Sequence, residues 1–265
     1  MARRQPALFI SHGGGPWPFI EEMRPVFAKT EAALRALPAQ LPARPDAVLV
    51  VSGHWEEETI SIANASHPPM VYDYSGFPEH TYHITYPAPG SPKFAARARE
   101  LLSGAGFATK EDPLHGYDHG VFVPLFLMYP DADVPVFMIS MKSGYDPRTH
   151  IAMGEALNPL RDENVLIIGS GLSYHNMRGF RTPAAGPVAE QFETWLNETI
   201  SEPDPAKRNA RLENWERAPA ARLAHPREDH LVPLMVVAGA SNSGPGERLF
   251  LDHAMGVVMA SYRFD

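Results

Sequence analysis

The chain has 265 residues, of which 44% are hydrophobic and 20% charged, and its formal net charge at pH 7 is −8. This length can bury a sizeable core, and the scattered basic residues of an acidic chain argue against a nucleic-acid surface. The chain has no cysteine, which excludes disulfides, thiolate nucleophiles, iron–sulfur clusters and cysteine-bound zinc. Any metal must therefore be held by His, Asp or Glu, which suits iron(II), manganese or zinc.

Short apolar runs alternate with helical patterns along the chain. The predicted strands are 6–11, 46–53, 57–63, 134–140, 164–169 and 256–264. The predicted helices are 18–37, 92–104, 121–128, 151–161, 188–218 and 231–239. This alternation predicts one α/β domain over residues 1–265, with a mainly parallel or mixed central sheet and helices on both faces. With no apolar run near 18 residues and no signal peptide, we expect a cytoplasmic protein without membrane contact.

A long irregular stretch, 67–92, interrupts this pattern and is rich in Pro, Gly, Tyr and His. Loops of this length are usually functional or disordered, and the aromatic residues argue against disorder. We therefore expect the stretch either to line an aromatic pocket or to form a well-packed surface loop.

Two histidines occupy equivalent places. His12 directly follows the first predicted strand, and His54 follows the second. The carboxyl ends of strands are where open α/β sheets bind ligands. His175 lies shortly beyond another strand, and His230 stands at the start of a helix. A buried imidazole without a partner costs roughly 2–7 kcal/mol, whereas a bound divalent metal contributes on the order of 10 kcal/mol, so the group is interpreted as a site.

Common catalytic motifs are absent from the sequence. It contains neither the His-Glu-x-x-His of metalloproteases nor the Gly-x-Ser-x-Gly of serine hydrolases. Gly13–Gly15 is not followed by the Gly-Lys-Ser/Thr of a phosphate-binding loop. Ser170, between two glycines, is interpreted as part of a tight turn rather than as a nucleophile.

Several segments resemble the 4,5-DOPA extradiol dioxygenase family, within the class III extradiol ring-cleavage dioxygenases of the LigB-like superfamily. They follow the family order over almost the whole chain. The matching segments are Pro6–Gly13, Val50–Trp55, Gly76–Pro78, Tyr86–Pro92, Gly116–Gly120, Tyr129–Pro135, Ser170–Asn176 and His225–Leu234.

The resemblance implies a non-haem metal-dependent enzyme that inserts O2 into a catechol-type ring beside its hydroxyls and yields a ring-opened semialdehyde, as in the catabolism of aromatic compounds. It implies His12, His54 and His230 as metal ligands, His175 as the catalytic acid/base and His119 as a second active-site histidine. Iron(II) is the expected metal, although a purified or crystallised sample could contain zinc. The expected substrates are O2 and a catechol, a DOPA-like compound or an aminophenol. The sequence leaves the oligomeric state open.

Two departures from the family pattern concern the pocket. Gly14–Trp17 replaces the usual Ser-Pro after the first His-Gly, and Asp229 stands where glutamate is common. Other residues near the site have less specific predictions. Asp118 is expected to orient His119. A second set is left without assigned roles; it comprises His80, His83, His115, His225, Arg178 and Arg227.

Two alternative functions use the same ligands. A zinc-dependent hydrolase would activate water on the metal, and a non-catalytic protein would only bind it. Oxygen consumption distinguishes the hydrolase from the dioxygenase. The presence of His175 and His119 beside the ligand set argues against mere binding, which needs neither residue.

Overall fold

A computed structural model describes residues 4–241 and 243–265. The strands are β1 (Ala7–Ser11), β2 (Ala47–Ser52), β3 (Glu56–Glu57), β4 (Ile60–Ala63), β5 (Thr109–Asp112), β6 (Val136–Met138), β7 (Met141–Lys142), β8 (Val165–Gly171), β9 (Glu247–Ala254) and β10 (Val257–Phe264). The helices are α1 (Ala28–Gln40), α2 (Pro92–Gly104), α3 (His119–Met128), α4 (Pro147–Leu157), α5 (Pro159–Asp162), α6 (Ala185–Ile200), α7 (Pro205–Glu213), α8 (Ala221–Ala224) and α9 (Val232–Gly239).

The main sheet has the strand order β6-β2-β8-β1-β10-β9. The first four strands in this order are parallel, and the β9–β10 hairpin joins antiparallel to β1. β1, β2 and β8 are buried along their whole length. Their side chains can be continuously apolar because both faces of a parallel sheet are covered.

Side chains alternate between the two faces of β8, and each face meets a helix. A Cβ at Gly169 would overlap the carbonyl oxygen of Pro233 in α9. The next residue, Ser170, points the other way, and its hydroxyl donates to the carbonyl oxygen of Gly120 in α3. The predicted fold class, α/β with a mixed sheet and helices on both faces, is therefore confirmed.

The helix predicted over 18–37 was partly wrong. Its first half forms separate 3-10 turns at Trp17–Phe19 and Arg24–Phe27, and α1 begins only after them. Pro18 and Pro25 lack the amide hydrogens that the interior of an α-helix requires. The segment that follows the glycine turn is thus irregular rather than helical.

Two further differences concern the second half of the chain. The predicted strand 256–264 is one arm of a hairpin, and its other arm, β9, was missed because the edge strand carries charged residues and is half exposed. The helix predicted over 188–218 is divided, since Asp204 caps a new helix that starts at Pro205. Among the helices within residues 4–241 and 243–265, none has the length and apolarity needed to cross a bilayer.

Candidate metal centre and cavity

Three histidines reach one edge of the sheet from separate parts of the chain. His12 directly follows β1, and His54 lies two residues beyond β2. Since β1 and β2 run parallel on either side of β8, their carboxyl ends meet at the same edge. His230 stands in the turn before α9, where its carbonyl oxygen accepts the backbone N–H of Leu172 at 3.0 Å. The pairing of strands and the docking of α9 bring these imidazoles together.

The ring nitrogens of the three histidines converge. Nε2 of His54 lies 3.2 Å from Nε2 of His12 and 3.2 Å from Nε2 of His230. Each histidine offers a ring nitrogen within 4.8 Å of the other two. Two imidazole nitrogens bound to one tetrahedral zinc ion at about 2.0–2.1 Å stand about 3.4 Å apart. The observed spacing is therefore close to that of ligands sharing one ion.

A buried chain of hydrogen bonds fixes the ring of His12. Pro124 inside α3 has no amide hydrogen, so the carbonyl oxygen of Gly120 lacks its usual helical donor. The hydroxyl of Ser170 donates to that carbonyl, and its oxygen lies 3.0 Å from Nδ1 of His12. Because the hydroxyl proton is already engaged, Ser170 accepts the Nδ1–H of His12, which leaves Nε2 of His12 with a lone pair.

Asp73 contacts His54 electrostatically and is hydrogen-bonded to His119. Its Oδ2 lies 3.2 Å from Nδ1 of His54, and its Oδ1 lies 2.9 Å from Nδ1 of His119. His119 donates its Nδ1–H to this carboxylate, whereas the contact with His54 is electrostatic; it favours a proton on Nδ1 of His54, because a lone pair there would face the negative oxygen. The prediction that Asp118 orients His119 was wrong, because Asp118 faces Ser52 and accepts its hydroxyl proton at 2.8 Å.

Asp229 holds His175 beside the third histidine. Its Oδ1 lies 3.2 Å from Nδ1 of His175 and accepts the backbone N–H of His230 at 2.8 Å. Nδ1 of His230 is 3.1 Å from the same oxygen but outside the direction of a hydrogen bond, so this contact is electrostatic. The rings of His175 and His230 stack with their centroids 3.5 Å apart. His175 is thus fixed through Nδ1, and Nε2 makes no hydrogen bond within the described residues.

Burial keeps the three converging imidazoles neutral. It lowers the pKa of His12 and of His54 well below the usual value, and the neighbouring imidazoles lower both pKa values further. Burial likewise lowers the pKa of His230 to about 4. Burial alone would raise the pKa of the Asp229 carboxyl, but the adjacent rings of His175 and His230 outweigh it and hold that pKa well below its usual range. Neutral imidazole is the form that binds a metal.

This donor set fits a divalent transition-metal ion. The hydrogen bond of His12 to Ser170 and the electrostatic contact of His54 with Asp73 leave the Nε2 atoms of His12 and His54 as lone pairs facing each other. This arrangement is unfavourable unless a cation lies near both. Imidazole ligands suit zinc and iron, and three of them leave positions open for other molecules.

The converging histidines lie on the floor of a cavity of about 610 Å³, a size within the usual range for small-molecule sites. One wall is the glycine turn after His12. Gly15 has a φ of +57°, and a Cβ there would lie 2.6 Å from the ring of Phe77, so the turn needs glycine at this position. The rest of the wall is largely apolar and includes Met23, Tyr74, Leu172, Met177, Phe180 and Met255. Such a lining suits a flat aromatic molecule.

The long loop 67–92 contributes aromatic side chains to this wall but none of its histidines. Tyr74 and Phe77 line the cavity. His80 and His83 are exposed outside it, and Nε2 of His80 lies 2.9 Å from the carbonyl oxygen of Phe19. The loop therefore supplies the cavity with aromatic surface and with the Asp73 carboxylate, but with none of its histidines.

Three further histidines have structural surroundings. The ring of His115 stacks on Trp55 with centroids 3.7 Å apart, outside the cavity. His225 is buried, and its Nε2 lies 3.0 Å from the carbonyl oxygen of Ser173, which ties the turn before α9 to the end of β8. His150, whose place in the sequence suggests a surface position, is fully buried.

The arginines expected nearest the site do not line the cavity. Arg227 pairs with Glu56 at 2.6 Å and lies over the ring of Tyr145, and Arg178 is exposed to solvent. The arginine that lines the cavity, among the described residues, is Arg181. The sequence did not indicate Arg181, because no local pattern shows which way its side chain points.

Two residues with a direct role in the geometry were also missed. Ser170 lies in β8 rather than in a turn, and its only signal was a small polar residue within an apolar run. Asp73 lies in the long loop, 46 positions from His119, and a carboxylate between two tyrosines was its only signal. Neither signal is specific without the fold.

The chain matches a known protein family over most of its length. The family described as "Catalytic LigB subunit of aromatic ring-opening dioxygenase" matches residues 6–260. The chain is 38% identical over 264 residues to "4,5-DOPA dioxygenase extradiol" of Beta vulgaris, which covers 97% of this chain and 95% of that protein. It is 34% identical to "Dioxygenase tasH" of Hapsidospora irregularis, over 97% of this chain and 84% of that protein.

A solved structure shares the whole fold. The crystal structure of an uncharacterized protein from Escherichia coli K12 superposes with a TM-score of 0.80 at 30% sequence identity, over 99% of this chain and 100% of that one. The "4,5-DOPA dioxygenase extradiol" of the same species is 34% identical over 240 residues, 89% of this chain and 85% of that protein. The similarity thus extends over nearly the entire length of the chain.

Proposed function

The chain belongs to the LigB family of aromatic ring-opening dioxygenases, and we propose that it opens the ring of a catechol-type substrate beside its two hydroxyls with O2 as co-substrate. One observation carries the proposal: three neutral imidazoles present Nε2 atoms, two pairs of them 3.2 Å apart, at the floor of an aromatic-lined cavity. In this proposal His12, His54 and His230 hold iron(II). When bound, the ion supplies the electron transfer between an aromatic diol and O2 that ring opening requires.

His175 is proposed as the acid/base. Its Nδ1 is held by Asp229, and its Nε2 is the remaining ring nitrogen of a residue that lines the cavity. The lone pair on Nε2 can take a proton from a substrate hydroxyl, and the ring can return that proton when the substrate ring opens. The stack of His175 on His230 places this group beside the proposed metal ligands.

His119 is proposed to act on the other side of the same floor. Asp73 holds its Nδ1 at 2.9 Å, and its ring centroid lies 4.0 Å from that of His54. The ring therefore presents Nε2 at a fixed position, where its lone pair can accept a hydrogen bond from the substrate. The aromatic wall supplied by Tyr74 and Phe77 excludes water and orients the substrate ring.

The test uses protein loaded with iron(II) under anaerobic conditions and a panel of catechol, a catechol carrying a carboxylate and an aminophenol. We expect oxygen uptake equal to the amount of ring-opened product, which is followed by absorbance. His12→Ala should lose the metal, and His175→Ala should keep it but lose about 10²–10⁴ in turnover. Exposed His253→Ala is the control.

Three outcomes would contradict the proposal or one of its parts. Ester or amide hydrolysis without oxygen uptake would favour the zinc hydrolase. Oxygen uptake restored by zinc but not by iron would contradict iron as the working metal. A His175→Ala variant with the turnover of the unmodified enzyme would show that the acid/base role belongs elsewhere.

A further inference from the structure

Two carboxylates each stand between one converging histidine and one outer histidine. Asp73 lies between His54 and His119. Asp229 lies between His230 and His175. The two groups resemble each other in composition, but the carboxylates use their oxygens differently.

Asp73 uses both of its oxygens. Oδ2 lies 3.2 Å from Nδ1 of His54. Oδ1 accepts from His119 twice, from the ring Nδ1 at 2.9 Å and from the backbone N–H at 3.1 Å. The side chain is largely buried, with 19% of its surface exposed, so water does not replace these contacts readily. A single carboxylate therefore favours the Nδ1–H tautomer of two imidazoles, that of His119 by a hydrogen bond and that of His54 by an electrostatic contact.

Asp229 uses one oxygen. Oδ1 accepts the backbone N–H of His230 at 2.8 Å, faces Nδ1 of His175 at 3.2 Å and lies 3.1 Å from Nδ1 of His230. Within the described residues, no hydrogen bond engages Oδ2 of Asp229. A neutral amide can present one carbonyl oxygen in the same place, so asparagine can keep these contacts.

We propose that Asp73 is a positioning residue that requires a carboxylate, because one oxygen faces Nδ1 of His54 while the other holds Nδ1–H of His119, and together they favour the Nδ1–H tautomers of both rings. This inference rests on the proposed function, in which Nε2 of His54 is a metal ligand. It means that metal affinity and the orientation of His119 depend on the same side chain. Asp229 has no such requirement, although it stands in a group of similar composition.

The difference follows from the chemistry of an amide. In Asp73→Asn, the carbonyl oxygen is drawn to the two donors of His119, so the NH2 group faces Nδ1 of His54. Two donors then meet, and the contact is restored only if His54 moves its proton to Nε2. That tautomer has no lone pair directed at the other ligands. Asp229→Asn places its carbonyl oxygen where Oδ1 was and leaves both tautomers unchanged.

The experiment compares Asp73→Asn with Asp229→Asn in the full chain, and Co²⁺ is the probe. Affinity is measured from the visible absorption of bound Co²⁺ in competition with a chelator. We expect Asp73→Asn to lose about 10–100-fold in affinity, and Asp229→Asn to stay within about threefold. The unfolding transition of each variant is measured to show that the variant is folded.

Histidine tautomers are read directly from two-bond ¹H–¹⁵N spectra. In the unmodified metal-free protein, His54 and His119 should both carry the proton on Nδ1, and this measurement needs no variant to fold. In Asp73→Asn, the proton of His54 should move to Nε2. A merely structural contact would change stability without moving that proton.

Equal Co²⁺ affinity of Asp73→Asn and the unmodified protein would overturn the inference while the proposed function stands, and so would an equal loss in Asp229→Asn. A proton on Nε2 of His54 in the unmodified protein would also overturn it. Failure of the unmodified protein to bind Co²⁺ at all would overturn both the inference and the proposed function.

Discussion

Ser170→Ala isolates the link between the fold and the proposed metal centre. The hydroxyl of Ser170 stands between two buried groups, the carbonyl oxygen of Gly120 and Nδ1 of His12. Pro124 has removed the helical donor that would otherwise satisfy that carbonyl. Because alanine fills almost the same volume, the substitution removes both hydrogen bonds and little packing.

The magnitude follows from the two groups left without partners. Each buried polar group without a hydrogen bond costs about 1–3 kcal/mol, so Ser170→Ala should lower the free energy of unfolding by about 2–6 kcal/mol. The ring of His12 also loses the acceptor that keeps its proton on Nδ1. Removing such a partner of a metal ligand typically costs about 10–100-fold in affinity.

The matched control is Ser140→Ala. Ser140 is also fully buried, and its hydroxyl oxygen accepts the backbone N–H of Ser61 at 2.9 Å, outside the cavity. Urea unfolding and competitive Co²⁺ titration are measured for both variants. Ser140→Ala should lose stability but retain Co²⁺ affinity within about twofold. A Ser170→Ala variant that binds Co²⁺ as tightly as the unmodified protein would refute the proposed tautomer control.

Three other predictions concern the cavity and the core. Gly15→Ala should destabilise the protein and raise KM, because its Cβ would displace Phe77. The control is Gly76→Ala, where φ is +77° but no other described atom lies within 4 Å of the Cβ position, so it should cost only about 1 kcal/mol of backbone strain in urea unfolding. Equal effects of the two substitutions would contradict the contact between Gly15 and Phe77. Arg181→Met should raise KM for a carboxylated catechol about fivefold in oxygen-uptake assays and leave KM for catechol unchanged. An equal change in KM for both substrates would exclude recognition of the carboxylate by Arg181. Burial lowers the pKa of His150 to about 4, so the unfolded chain binds a proton that the folded one does not as pH falls below about 6.5. His150 alone should then account for a loss of up to ~1.4 kcal/mol of stability per pH unit down to about pH 4. His150→Gln should reduce the slope of stability against pH in unfolding curves by that contribution, and identical slopes would contradict it.

Much of the scaffold could be predicted from local patterns. The apolar runs that became β1, β2 and β8 were identified, and α2 has the predicted bounds. These elements could be predicted because their patterns are local. The strands are continuous apolar runs that are buried on both faces of the sheet, and the helix has apolar residues at regular intervals on one face. The segment before α1 and the edge strand β9 were misjudged because prolines, and exposure at a sheet edge, override the hydrophobic pattern.

The sequence by itself determined that His12 and His54 follow strands, because a short apolar run defines where its strand ends. It could not determine which carboxylates and hydroxyls face these imidazoles. Asp73 is 46 positions from His119, and Ser170 is 158 positions from His12, so only the order of strands in the sheet and the packing of α3 bring each pair within hydrogen-bond distance. Strand endings depend on neighbouring residues along the chain, whereas proton positions on the imidazoles depend on contacts that exist only after the chain has folded.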